Sequence, residues 1–248
     1  QAVIEAAEES NSPVILGTAE VLLPYGELKL IAPSVIAAAK RANIPVVVHY
    51  DHGLTFDRCI EALKLGFSSI MFDGSAKPYE QNIAETREMV KIAHAFGATV
   101  EGEIGHVGEA AKEDNLLTDM YTTPEEAKAY LEATGVDALA VAIGSAHGVY
   151  KKKPMLNIER LKEISGAVKV PLVLHGGSGL SDDDFKNTIR NGIAKVNIFT
   201  DLCLAGERAM KDGAEKKLGY LETRNLKVEY IKEAVKHKMS LFGSVNKA

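Results

Sequence analysis

Three histidines stand directly before glycine at the ends of strand-like runs. They fall in Val47-Val48-His49-Tyr50-Asp51-His52-Gly53, in Val141-Ala142-Ile143-Gly144-Ser145-Ala146-His147-Gly148, and in Leu172-Val173-Leu174-His175-Gly176-Gly177-Ser178-Gly179. A strand end aims a side chain from a rigid support, and the glycine leaves room for something to approach the backbone. Neutral imidazole is the commonest side-chain metal ligand, and a catalytic zinc takes three protein ligands with one position open. Any one of these histidines, taken alone, reads as a hydrogen-bonded core residue. Three at equivalent strand exits point instead to one shared metal held by His52, His147 and His175. His49 reads as buried within its strand, His94 and His237 as structural, and His106 as undecided.

Other polar residues occupy neighbouring exits. Asp51 precedes His52, where a carboxylate either exchanges a proton with a metal-polarised substrate or orients a ligand histidine. Side chains alternate along a strand, so both roles stay open. Asp73 and Glu103 read as a second metal position, an outer shell or helix caps. Gly176-Gly177-Ser178-Gly179 joins a strand to a helix, and free amides at a helix N-terminus bind phosphate. Asn197-Ile198-Phe199-Thr200 supplies the opposite side of that cradle. Lys195 shares the parity of Asn197 and is the chemical competitor, a Schiff-base amine; its depth in the strand favours a structural charge. The whole pattern suggests metal-assisted chemistry on a phosphorylated substrate.

The elements that must position these residues alternate. Apolar runs follow Pro13, Pro45 and Pro171, giving strands at 14–16, 46–48 and 172–174. Others follow Gly66, Gly97, Gly135 and Gly192, which suit helix C-termini, giving strands at 69–72, 99–103, 138–141 and 194–198. Amphipathic stretches such as 79–96 and 123–134 lie between them. Strand–helix alternation implies a parallel sheet with right-handed crossovers. Polar residues at nearly every strand exit favour a barrel over a doubly wound sheet, which concentrates its site at one switch point. The expected fold is therefore α/β, a (β/α)8 TIM barrel showing seven βα units and lacking its first strand. Gln1 to Glu9 is helical from its first residue, without a cap or preceding strand, so the chain reads as starting inside an element. Without that strand, the chain is expected to be less stable and less active than a longer version. Residues 1–248 read as a single barrel domain with a C-terminal helical extension over about 203–248.

Bulk composition narrows the partners. The chain has 248 residues, 46% hydrophobic and 25% charged, with a formal net charge of −5. That is an ordinary globular composition. No basic stretch is interleaved with aromatics, so neither nucleic acid nor a membrane surface is an expected partner. No apolar run is long enough to cross a bilayer. Cys59 and Cys203 lack a CxxC spacing and read as reduced interior thiols of a cytoplasmic protein.

Tyr-Asp-His-Gly at 50–53, Gly-Ser-Ala-His-Gly at 144–148, His-Gly-Gly-Ser-Gly at 175–179 and Val-Asn-Ile-Phe-Thr at 196–200 resemble the motifs of class II, zinc-dependent ketose-bisphosphate aldolases. The fructose-bisphosphate and tagatose-bisphosphate aldolases are the nearest subgroup. The resemblance runs through the chain to Leu241-Phe242-Gly243-Ser244. It implies zinc on His52, His147 and His175, with Asp51 as the proton-transfer residue. It implies that Gly148, Gly176, Gly177, Ser178, Asn197, Ile198, Phe199 and Thr200 hold dihydroxyacetone phosphate. Asp73 and Glu103 match positions that bind a second or displaced cation. The substrate would be a small phosphorylated sugar, and the assembly a homodimer or homotetramer. Phe199 departs from the small or polar residue common there. The loop acid that assists deprotonation is either Glu109 or Glu113. The alternatives are a Schiff-base aldolase using Lys195 and a non-catalytic barrel that supports a partner aldolase. The preference between the two C4-epimeric bisphosphates is not legible in the chain.

Overall fold

The computed structural model describes residues 1–105, 121–148 and 154–248. Its centre is a seven-stranded, wholly parallel sheet: β1 Val14–Ala19, β2 Val46–Gly53, β3 Ser69–Phe72, β4 Thr99–Ile104, β5 Ala138–Val141, β6 Leu172–Leu174 and β7 Ile193–Val196. The strands lie in sequence order, β1 to β7. A doubly wound sheet would reverse order at a switch point; this one does not.

The sheet also curls. In a flat sheet β2 and β6 would lie four spacings, roughly 19 Å, apart. Instead a ring nitrogen of His52, in β2, lies 2.9 Å from one of His175, just after β6. The architecture is thus barrel-like, with β1 and β7 as the unpaired ends of the ladder among the described residues.

Each strand is followed by a helix. These are α2 Leu28–Arg41 (after a 3-10 turn, Glu20–Tyr25), α3 Phe56–Leu65, α4 Tyr79–Ala95, α5 Pro124–Thr134, α6 Ile158–Ala167, α7 Asp182–Arg190 and α8 Thr200–Glu215. Several of them, α2 to α5 and α7, pack against the sheet. Local chemistry sets their ends. Thr55 and Thr123 cap α3 and α5 with their hydroxyls. Gly66 and Gly135, in the left-handed conformation, end the same helices, as glycine at C′ does. The main core lies between the strands' outer faces and these helices, around Tyr50, Ile70, Phe72, Leu139, Val141, Leu161 and Phe185.

The chain opens with α1 Ala2–Glu9 and closes with α9 Tyr220–Phe242. Ala6 and Ala7 of α1 pack with Val235 and Met239 of α9 in a second cluster. The backbone of residues 246–248 bonds to Ser10 and Asn11. Helix α9 packs against α1, α7 and α8. Cys59 is buried, but Cys203 is exposed, which corrects the reading of both as interior thiols. Helix α8 buries Ala205, Gly206, Ala209 and Gly213, and Cys203 falls off that stripe.

Candidate metal centre and substrate site

The inner face of the sheet follows from the period-two alternation of its strands. On β2, Val48 and Tyr50 join the outer core, so His49 and Asp51 face inward. A regular strand would then turn His52 outward. It does not, because the β2–β3 ladder shifts register between Tyr50 and Gly53, and His52 takes φ +48. A left-handed φ on a non-glycine residue is strained and held only by its surroundings. Here the irregularity re-aims one side chain, as bulges do, and puts Asp51 and His52 on the same side.

His52, His147 and His175 meet there. Each offers a ring nitrogen, and these lie within 4.8 Å of one another. The outward nitrogens of two of them are held. His52 Nδ1 pairs with Asp73 Oδ2 at 2.7 Å, and His175 Nε2 with Glu101 Oε1 at 2.7 Å. A carboxylate behind an imidazole fixes the tautomer and ring orientation of a metal ligand. Donor type, convergence and backing all fit zinc. His52, Asp73 and Glu103 form a second group with ligand spacing.

Charge separates the three imidazoles. Burial works against a proton on His52, but the Asp73 hydrogen bond and nearby carboxylates override it and raise its pKa to about 9. Burial lowers His147, and its neighbouring imidazoles add to the effect and outweigh Asp51 and Asp73, so it falls to about 4. Asp73, despite burial, is held down to about 2 by His52 and Ser75. Burial likewise pushes Asp51 up, yet His49, His175 and Lys195 keep it well below the ordinary carboxylate range. Asp51 is therefore an ionised base, and its oxygens accept from Asn197 Nδ2 at 3.1 and 3.3 Å.

The glycines after the histidines do different work. An added Cβ on Gly53 would lie 2.4 Å from Cys59 Sγ, and on Gly176 2.3 Å from the Ala146 carbonyl oxygen. Those two admit the protein's own packing; among the described residues, nothing lies within 4 Å of a Cβ placed on Gly148. The glycine loop and the segment Asn197–Thr200, read from the sequence as two sides of one phosphate cradle, lie against each other. The helix directly after Gly176–Gly179 is α7, which is capped by its own Ser181–Asp184 box and carries Asp182, Asp183 and Asp184 in its first turn. Such an acidic first turn is unsuited to a phosphate. The N-terminus facing the loop is that of α8: Ser178 Oγ accepts from the amides of Phe199 at 3.3 Å and Asp201 at 3.2 Å. Loop and helix end are thereby tied into one concave edge. Phe199 is 54% exposed beside it.

Sequence reasoning singled out Asp73 correctly as a polar exit, and its hydrogen bond to His52 favours the outer-shell role. It passed over Glu101, although Glu101 stands two residues before Glu103 and shares its parity. Lys195 is tied to Glu101 Oε2 at 2.7 Å and Asn197 Oδ1 at 2.8 Å. His49 is buried, as expected. His94 and His237 sit against Asp137 and Asp182 away from this cluster. His106, Glu109 and Glu113 lie outside the described residues.

Three imidazoles, two of them backed by carboxylates, converge with an ionised aspartate at the strand exits of a barrel-like parallel sheet, beside a glycine loop tied to the start of α8, an arrangement suited to metal-assisted chemistry. The family described as fructose-bisphosphate aldolase class-II matches residues 1–247, and the chain belongs to it: it is a class II aldolase, a lyase. Protein YdjI of Escherichia coli K12 is 43% identical over 247 residues, covering 99% of this chain and 88% of that protein. A probable fructose-bisphosphate aldolase of Bacillus subtilis is 40% identical over 256 residues, covering 100% and 89%. The crystal structure of the YdjI aldolase superposes with a TM-score of 0.88 at 38% identity, over 100% of this chain and 88% of that one. The family is generally zinc-dependent. Among the described residues no helix is long and apolar enough to cross a membrane.

Proposed function

We propose that this chain is a zinc-dependent aldolase of the cytoplasm. It reversibly cleaves a ketose 1,6-bisphosphate, fructose or tagatose, into dihydroxyacetone phosphate and glyceraldehyde 3-phosphate. The observation that carries the reading is the convergence of His52, His147 and His175 beside ionised Asp51. The frame would be a (β/α)8 barrel, and the assembly a homodimer or homotetramer.

The three imidazoles would hold the metal, which when bound supplies Lewis-acid stabilisation of negative charge on the ketone-derived oxygens. Asp51 accepts the C4 hydroxyl proton on cleavage and returns it on condensation; its ionised state suits the first step. Asp73 and Glu101 hold His52 and His175 in their ligand tautomers. Asp73 and Glu103 give a second cation position. Gly176 to Ser178, Asn197 to Thr200 and Gly148 bind the phosphate and three-carbon fragment, and that grip orients the reacting carbon. Lys195, whose Nζ is engaged by Glu101 and Asn197, does not act as a Schiff-base amine.

Treatment with EDTA followed by zinc tests this. Cleavage of one or both bisphosphates should vanish with the chelator and return with zinc. Activity that persists after the metal is stripped would refute the reading.

A further inference from the structure

Beneath the imidazoles lies a partly buried charged layer, and the reading above gives its lysine no task. Glu101 on β4 is 2% exposed. Its Oε1 holds His175, and its Oε2 accepts from Lys195 Nζ at 2.7 Å. The same ammonium donates to Asn197 Oδ1 at 2.8 Å. Asn197 Nδ2 in turn donates to both oxygens of Asp51. His49, with Nδ1 on Ser69 Oγ at 2.8 Å, brings Nε2 to 3.5 Å from Asp51 Oδ1 and 3.8 Å from Glu101 Oε2. His49, Asp51 and Glu101 have metal-ligand spacing, but the Lys195 ammonium already supplies the positive charge that this cluster needs.

The direction of the chain from Lys195 to Asp51 is forced. An ammonium only donates, whereas a carboxamide both donates and accepts. With Lys195 present, the Asn197 oxygen must face it, and the amide NH2 group is left for Asp51. Without Lys195, the amide loses the donor that anchors its oxygen and is held only through its bonds to Asp51. We propose that Lys195 is a positioning residue: acting through Asn197, it holds the Asp51 carboxylate in place for proton transfer. Glu101 makes the buried ammonium tolerable, since an unpaired buried charge is strongly unfavourable. This rests on the reading of Asp51 as the proton-transfer group.

A double-mutant cycle on kcat separates a path through Asn197 from independent effects. Lys195→Met should lower kcat by about 10- to 100-fold, the range for a partner behind a working group, with a smaller change in KM. In the Asn197→Ala background the same change should cost nothing more. Losses that multiply would overturn the proposal. If Lys195→Met does not fold, Lys195→Arg serves, under the same criterion: any loss it causes must disappear when Asn197 is alanine. Borohydride reduction in the presence of substrate should leave Lys195 unmodified, and an adduct there would also overturn it. Asp51→Ala keeps the two readings apart. If that variant retains kcat, the role of Asp51 fails; if it is inactive and the cycle is multiplicative, only the role of Lys195 fails.

Discussion

The pairing of His52 with Asp73 makes zinc affinity depend on pH in a predictable way. Zinc requires neutral imidazoles, so its binding displaces their protons. His147, with a pKa of about 4, has none to lose at neutral pH. His52, at about 9, is still protonated there. Two pH units below that value, displacement costs about 2.7 kcal/mol. Apparent affinity should therefore rise through His52 by roughly tenfold per pH unit from 7, and flatten beyond about 9. Asp73→Asn keeps the shape but removes the charge. The break should then move down toward the ordinary histidine value of 6.5, and the plateau should fall about 10- to 100-fold, because a neutral amide orients the ring less firmly. Competition against a chelating indicator, in non-coordinating buffers, reads both quantities. An affinity flat between pH 7 and 9 in the parent protein would refute the reasoning, as would an unchanged break in the variant.

Other expectations follow from single contacts. Asp51→Ala should lose about 100- to 10,000-fold in kcat while binding zinc at the same stoichiometry; loss of metal instead would mark Asp51 as a ligand partner. Gly176→Ala forces a Cβ to 2.3 Å from the Ala146 carbonyl oxygen at a φ of +65. It should cost roughly 1–3 kcal/mol in urea unfolding, and an unchanged midpoint would count against the close approach. Burial pushes the Cys59 thiol up to about 12, so a thiol reagent should titrate Cys203 in the folded protein and Cys59 only after denaturation. In zinc-free protein the stability contributed by His52, whose pKa is raised on folding, is complete below 6.5 and is lost as pH rises through about 9. Urea midpoints across that window check it.

Much of this was legible because strand exits carry strong local signals. Proline or glycine announces each run, the runs are mostly apolar, and a polar residue falls where the run stops. That logic brings out His52, His147, His175, Asp73 and Asn197, and the number and order of the strands. It fails where tertiary geometry overrides alternation. Asp51 and His52 are adjacent, and only the register shift and positive φ at His52 let both face inward. That the glycine loop is tied to α8, while α7 has a self-capped, acidic first turn, emerges only from contacts in space. Glu101 was missed because a carboxylate inside an apolar strand is interpretable only once Lys195 and His175 are seen to converge on it. Cys203 was misplaced because a helical stripe of small residues, rather than apolar size, decides which face of α8 packs.

The central claim is that three histidines and one zinc drive aldol cleavage. It is tested most directly by stripping the protein of metal and titrating zinc back, while following cleavage of fructose and tagatose bisphosphates on the same sample. The account predicts activity that rises in proportion to bound zinc, breaks at one zinc per chain, and is lost when His175 is replaced by alanine. Activity at zero zinc, or full zinc occupancy without cleavage of either sugar, would contradict it.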